Sequence, residues 1–138
     1  MSSRLEPRAL DRWSFPEATL LRTAGLIQLM IMALGMVSPG RLFSAWGLPV
    51  DEPATFMRFM VVAYGALGLA LLRAVRLSRA EGRLTVETVA LVKLAFVAVV
   101  IADILARKLP NGAAVAVILD MILGVAMFRA ARRKTAAA

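Results

Sequence analysis

The chain contains no cysteine and no histidine among its 138 residues. Without cysteine it can form no disulfide, thiolate nucleophile or iron–sulfur site, and without histidine the usual haem and zinc ligands are missing. A metal site made only of Glu87, Asp103 and Asp120 is also not expected, because these carboxylates should lie at different depths along their helices. We therefore expect no metal site and no cofactor.

Acidic residues are scarce, with nine Asp and Glu against 17 Lys and Arg and a net charge of +8. The positions of the basic residues bear on whether a nucleic acid is the partner. Groups of basic residues lie near the N-terminus, between the second and third apolar segments and after the fourth. Only Arg41, Arg107 and Lys108 lie in the other two connections, after the first and the third apolar segments. Basic residues are retained on the cytoplasmic side of membranes. This asymmetry predicts that both termini are cytoplasmic, that the arginines contact anionic membrane lipids and that there is no nucleic-acid partner.

Apolar residues are abundant: 60% of the chain is hydrophobic and the mean hydropathy is +0.75. A soluble domain of this size could not bury so much apolar surface. Four apolar stretches are each about 17–22 residues long, close to the thickness of a bilayer core. The sequence therefore predicts an all-α, integral membrane four-helix bundle in a single domain, with helices at about 17–37, 54–77, 84–107 and 112–130.

Aromatic residues make up only 7% of the chain, and four of them fall near predicted helix ends. Trp13 and Phe15 precede the first apolar stretch, and Phe43 and Trp46 follow it. Aromatic rings are typical of the headgroup level of a membrane. We predict that these four side chains are interfacial anchors and do not form a ligand cage.

Each apolar stretch carries one polar residue near its middle: Gln28, Tyr64, Lys93 and Asp120. Polar groups in a bilayer core are costly, so they call for a structural or functional reason. At 1.5 Å per helical residue, Lys93 and Asp120 lie at about the same depth, roughly 12 Å from the cytoplasmic ends of their helices. Two antiparallel neighbouring helices would bring this ammonium and carboxylate together.

Two further pairs of opposite charges have similar depths. Arg58 and Asp103 are each about one turn from the outer helix ends, and Arg22 and Glu87 lie near the inner boundary. Pairing would leave the membrane-spanning segments neutral, as buried charges require. We predict Arg58–Asp103 and Arg22–Glu87 as structural ion pairs. A purely structural role is also an open interpretation of Lys93–Asp120.

The chain contains the short motifs Ser38-Pro39-Gly40-Arg41-Leu42-Phe43, Gly47-Leu48-Pro49, Arg58, Tyr64-Gly65 and Gly68. Together they resemble motifs of the small four-helix DoxX-like bacterial membrane proteins, including related families of unknown function. The resemblance implies a compact four-helix bundle in a bacterial plasma membrane. Some DoxX-like proteins are associated with quinone-linked redox complexes, but this chain lacks the cysteine and histidine of redox sites, so that function is not transferred.

Two classes of function compete at this point. In the first, the bundle binds a lipophilic small molecule or lipid at mid-depth and converts it, as an isomerase or cyclase, with Asp120 as acid or base, Lys93 tuning it, and Tyr64 and Gln28 orienting the substrate. In the second, it is an accessory or assembly subunit that packs against another copy or a membrane partner through small residues of the second helix. Ion transport is less favoured, because the charges balance in pairs and form no ring of one sign.

Overall fold

The described part of the chain, residues 12–50 and 55–133 of a computed structural model, contains helices and no β-strand. The prediction of an all-α fold is confirmed. The five α-helices are α1 (Phe15–Val37), α2 (Pro39–Ala45), α3 (Thr55–Ala74), α4 (Arg79–Leu105) and α5 (Ala114–Arg132), with a 3-10 turn at Asn111–Ala113. The four long helices are long and apolar enough to cross a membrane. We conclude that this is a multi-pass membrane protein.

The helix starts follow local capping. α1 begins at Phe15, where the Ser14 backbone N–H donates to the Glu17 carboxylate over 3.0 Å. α4 begins at Arg79 instead of about residue 84, because Ser78 precedes it and accepts from the Glu81 N–H over 3.3 Å. Ser14 with Glu17, and Ser78 with Glu81, each form a Ser-x-x-Glu capping box. The second box lies in a polar segment, so a prediction from the apolar stretch alone placed the start of α4 too late.

The four long helices form a ring in the order α1, α3, α4 and α5. Because α1 packs mainly on α3 and α4 mainly on α5, the bundle consists of two close pairs. The first pair meets through glycines: a Cβ added to Gly68 would lie 2.7 Å from the Gly25 carbonyl oxygen. Such close backbone approach is the usual basis of helix association in lipid, where apolar surface alone gives little preference.

The two halves of the bundle differ in packing. The half that contains the start of α1 and the end of α5, here called the terminal end, contains the larger apolar core, which includes Leu21, Leu71, Val86 and Met127. The half beneath α2, here called the α2 end, has a smaller core of Val97, Val100, Ala113 and Val117. The terminal end is therefore the tightly filled half of the molecule.

A buried ion pair closes the terminal end. The Arg79 guanidinium contacts the Glu17 carboxylate at 2.8 Å and donates to the carbonyl oxygens of Ala130 and Arg133. Trp13 lies beneath it, 7% exposed, and its indole N–H donates to the Ala74 carbonyl over 3.1 Å. The prediction that Trp13 is an interfacial anchor is therefore wrong: it joins α1 to the end of α3.

Candidate functional site

Three of the four predicted mid-membrane residues meet in one cluster. Lys93 of α4 and Asp120 of α5 form an ion pair, and their side chains are 1% and 5% exposed. Tyr64 reaches the same place from α3, which lies across the ring from α5. The predicted pairing of Lys93 with Asp120 is confirmed.

Hydrogen bonds connect all three members of the cluster. The Lys93 ammonium and the Tyr64 hydroxyl both donate to Oδ1 of Asp120. The ammonium also donates to the Tyr64 oxygen over 2.7 Å and lies 4.3 Å from the centre of the phenol ring. An ammonium beside a carboxylate is neutral overall, and the phenol adds a neutral donor. The cluster is thus a charge-balanced polar centre in an apolar surrounding.

The cluster lines a cavity of about 290 Å³. Its walls come chiefly from α3, α4 and α5, together with Ile31 of α1 and the α2 region. Apart from the cluster and Trp46, the lining side chains are all apolar. The cavity is partly open, and Ala63, Val92, Val115 and Leu119 in its lining are also exposed on the bundle surface. It therefore combines a polar centre with apolar walls and access from the lipid-facing side.

Aromatic side chains line the cavity as well. Phe43 and Trp46, at the end of α2 and just after it, have ring centres 6.1 Å apart, and Phe96 joins them from α4. The α2 region is held near the start of α5 by Gly47, where an added Cβ would lie 3.0 Å from the Gly112 carbonyl carbon. Phe43 and Trp46 were not predicted to form a ligand cage, but they do form part of the cavity wall; their role as interfacial anchors stays a prediction.

Gln28 does not belong to this cavity. Its side chain is fully buried between α1 and α3, where a Cβ on Gly68 would lie 2.9 Å from Gln28 Cβ. Neither its amide oxygen nor its amide nitrogen has a hydrogen-bond partner in the described part of the chain. The structure thus gives no support for Gln28 as a substrate-orienting residue alongside Tyr64.

The two other predicted ion pairs do not form. Glu87 pairs with Arg132 of α5 at 2.8 Å, and Asp103 pairs with Lys108, three residues beyond the end of its own helix, at 3.6 Å. Arg22 and Arg58 are exposed and make no ion pair with any described residue. The predicted depths of the carboxylates were compatible with pairing, but depth does not determine which helix lies beside each face.

The residues that the sequence did not identify are of two kinds. Phe96, Leu48 and Met60 line the cavity but carry no pattern that separates them from ordinary core residues. Glu17 and Arg79 each lie in the first turn of a helix that begins after a capping serine, which marks the two helix starts but does not indicate their pairing. That pair belongs to the terminal end and takes no part in the cavity.

Comparison with known proteins adds no further constraint: no family model, curated protein or solved structure matches this chain. The resemblance to DoxX-like proteins stays a prediction. The functional argument therefore depends on the geometry of the cavity and its polar cluster.

Proposed function

We propose that this protein binds a lipophilic small molecule or lipid segment in the cavity, with the polar group of that molecule against Lys93, Tyr64 and Asp120. One observation carries the proposal: a charge-balanced polar cluster lines a cavity whose other walls are almost entirely apolar. Binding sites for small molecules commonly combine apolar walls with a few convergent polar groups. We further propose that the protein lies in a bacterial plasma membrane and is related to the DoxX-like group.

The position of the cavity supports a lipophilic ligand. The lining residues Ala63, Val92 and Leu119 lie within candidate membrane spans and are exposed on the surface of the bundle. In a membrane such a surface faces acyl chains, so a ligand dissolved in the bilayer reaches the cavity without passing through water.

The volume of the cavity sets the size of the ligand. At about 290 Å³ it is nearly twice an engineered cavity of about 150 Å³ that binds benzene. It has room for a ligand, or for the end of a longer lipid, of roughly twelve non-hydrogen atoms. A ten-carbon isoprenoid, built of two five-carbon units, is of this size.

Conversion of the ligand by proton transfer is a second, separable part of the proposal. Asp120 is the acid or base, the Lys93 ammonium controls its charge, and Tyr64 supplies a donor beside it. Removal of a proton from one carbon and its return to another would isomerise an isoprenoid-like substrate, and protonation of a double bond would start a cyclisation. Water is largely excluded at this depth, which favours such steps.

Native mass spectrometry of the purified protein, followed by lipid extraction, tests the binding proposal. We expect a reproducible lipophilic molecule in stoichiometric amount. The variant Ala63→Phe, which fills the cavity from α3, should lose that molecule. Ala66→Phe is the matched control: Ala66 is also exposed on α3 but does not line the cavity, so this variant should keep the molecule.

Two results would contradict the proposal. If both phenylalanine variants retain the molecule equally, it binds elsewhere on the protein. If the wild-type protein carries no lipophile and instead co-purifies with a stoichiometric membrane protein, the accessory-subunit alternative replaces ligand binding. The small residues cited for that alternative are partly used inside the bundle, since Gly65 and Gly68 of α3 pack against Met32 and Gly25 of α1.

A further inference from the structure

The polar cluster has unused hydrogen-bonding capacity. Both donors that reach Asp120 use Oδ1, and Oδ2 accepts no hydrogen bond from any described residue. A lysine ammonium has three N–H groups, and the Lys93 ammonium uses two of them, one to Tyr64 and one to Asp120. The cluster therefore retains one free acceptor and one free donor, a few ångströms apart, among residues that line the cavity.

A single hydroxyl group can pair with both the free acceptor and the free donor. It donates its proton to a carboxylate oxygen and accepts an N–H through its own oxygen, the combination that Asp120 and Lys93 leave open. We propose, resting on the proposed function, that the ligand is a neutral lipophilic alcohol whose hydroxyl bridges Asp120 Oδ2 and the Lys93 ammonium. Its hydrocarbon part then lies along the apolar walls toward Phe43, Trp46 and Phe96.

Other polar groups match the cluster less well. An aldehyde or ketone accepts a hydrogen bond but cannot donate one, so it leaves Asp120 Oδ2 unsatisfied in a buried place. A carboxylate adds a second negative charge beside Asp120, and a charged amine adds a second positive charge beside Lys93. Water has the right donors and acceptors but covers none of the apolar wall. The alcohol is thus the class that fits both the polar centre and the walls.

A matched series of ten-carbon probes tests this inference: geraniol, the corresponding aldehyde, the corresponding carboxylic acid at pH 8, and myrcene as the hydrocarbon. Binding to the full chain in lipid nanodiscs is followed by tryptophan fluorescence, because Trp46 lies in the cavity wall. Empty nanodiscs correct for partition into the lipid. We expect geraniol to bind at least about tenfold more tightly than the aldehyde or the hydrocarbon, and the acid to bind most weakly.

The variant Lys93→Met/Tyr64→Phe/Asp120→Leu removes all three polar groups of the cluster without leaving an unpaired charge or an unpartnered hydroxyl. Geraniol and myrcene should bind to it with equal affinity. If all four probes bind alike to the wild-type protein, or if the acid or aldehyde is preferred, the inference is overturned although ligand binding itself stands. If no probe binds and no lipophile co-purifies, the proposed function fails and the inference fails with it.

Discussion

At the scale of single residues, the Lys93–Asp120 pair places two charges in an apolar surrounding, which is unfavourable, but it also supplies polar groups that a ligand can bind. Each charge alone would be strongly unfavourable at 1% or 4% exposure. Together, and with the Tyr64 hydroxyl, they satisfy most of each other's hydrogen-bonding needs. Both residues also line the apolar cavity, so the same pair that maintains neutrality is placed to recognise a ligand.

Removing one partner should cost more than removing both. We expect Lys93→Met or Asp120→Leu alone to lower the free energy of unfolding by about 3–5 kcal/mol, because each leaves an unpaired buried charge. The double variant should lose much less. The measurement is reversible unfolding in mixed detergent micelles.

Lys108→Met is the control for this comparison. Its ion pair with Asp103 spans 3.6 Å and the lysine side chain is 73% exposed, so the loss should stay below about 1 kcal/mol. A double variant at positions 93 and 120 that is as unstable as either single one would show that the two charges do not stabilise each other.

The pairing of these two residues could be predicted because the rise of a helix fixes depth. Lys93 and Asp120 lie on consecutive helices, which are antiparallel neighbours, and depth alone was then sufficient. It was not sufficient for Arg22 and Glu87, since the α4 face that carries Glu87 meets α5 and not α1. Which faces meet is decided by packing between whole helices, and a single sequence does not show it.

At the scale of elements, the four long helices could be predicted from the length of the apolar stretches. The start of α4 and the existence of α2 could not. The seven residues of α2 are too few to give a periodic pattern: α1 ends at Val37 as predicted, but the helix that begins at Pro39 was not predicted. The contribution of Phe43 and Trp46 to the cavity depends on how α2 lies over the bundle. That position comes from tertiary contacts, including the close approach of Gly47 to Gly112.

The contact between α1 and α3 should be the helix contact that an added side-chain atom destabilises most. We expect Gly68→Ala to lower the free energy of unfolding by about 1–3 kcal/mol, because the new Cβ would lie 2.7 Å from the Gly25 carbonyl oxygen and the helices would have to separate. Unfolding in the same micelles measures the effect.

Gly112→Ala provides the matched glycine control. Among the described residues, no atom other than those of Gly112 and its chain neighbours lies within 4 Å of the added Cβ, so a change within about 0.5 kcal/mol is expected. Equal losses for the two alanine variants would mean that backbone approach at Gly68 does not hold α1 against α3.

At the scale of the whole molecule, charge is distributed in two ways that serve different purposes. Inside the bundle the charges of Lys93 and Asp120 balance, which permits burial. Outside, the basic residues concentrate at the terminal end, where Arg73, Arg76 and Arg129 are exposed. Four spanning helices place both termini on the same side of the membrane, and the basic excess predicts that this side is the cytoplasm.

The absence of native cysteine makes this orientation directly testable. Single cysteines at Ser44 in α2 and at Leu77 between α3 and α4 would lie at opposite ends of the bundle, and both positions are exposed. In intact cells a membrane-impermeant maleimide should label Ser44→Cys but label Leu77→Cys only after lysis. The unsubstituted chain gives the background. Labelling of Leu77→Cys alone in intact cells would reverse the orientation and place the α2 end of the cavity on the cytoplasmic side.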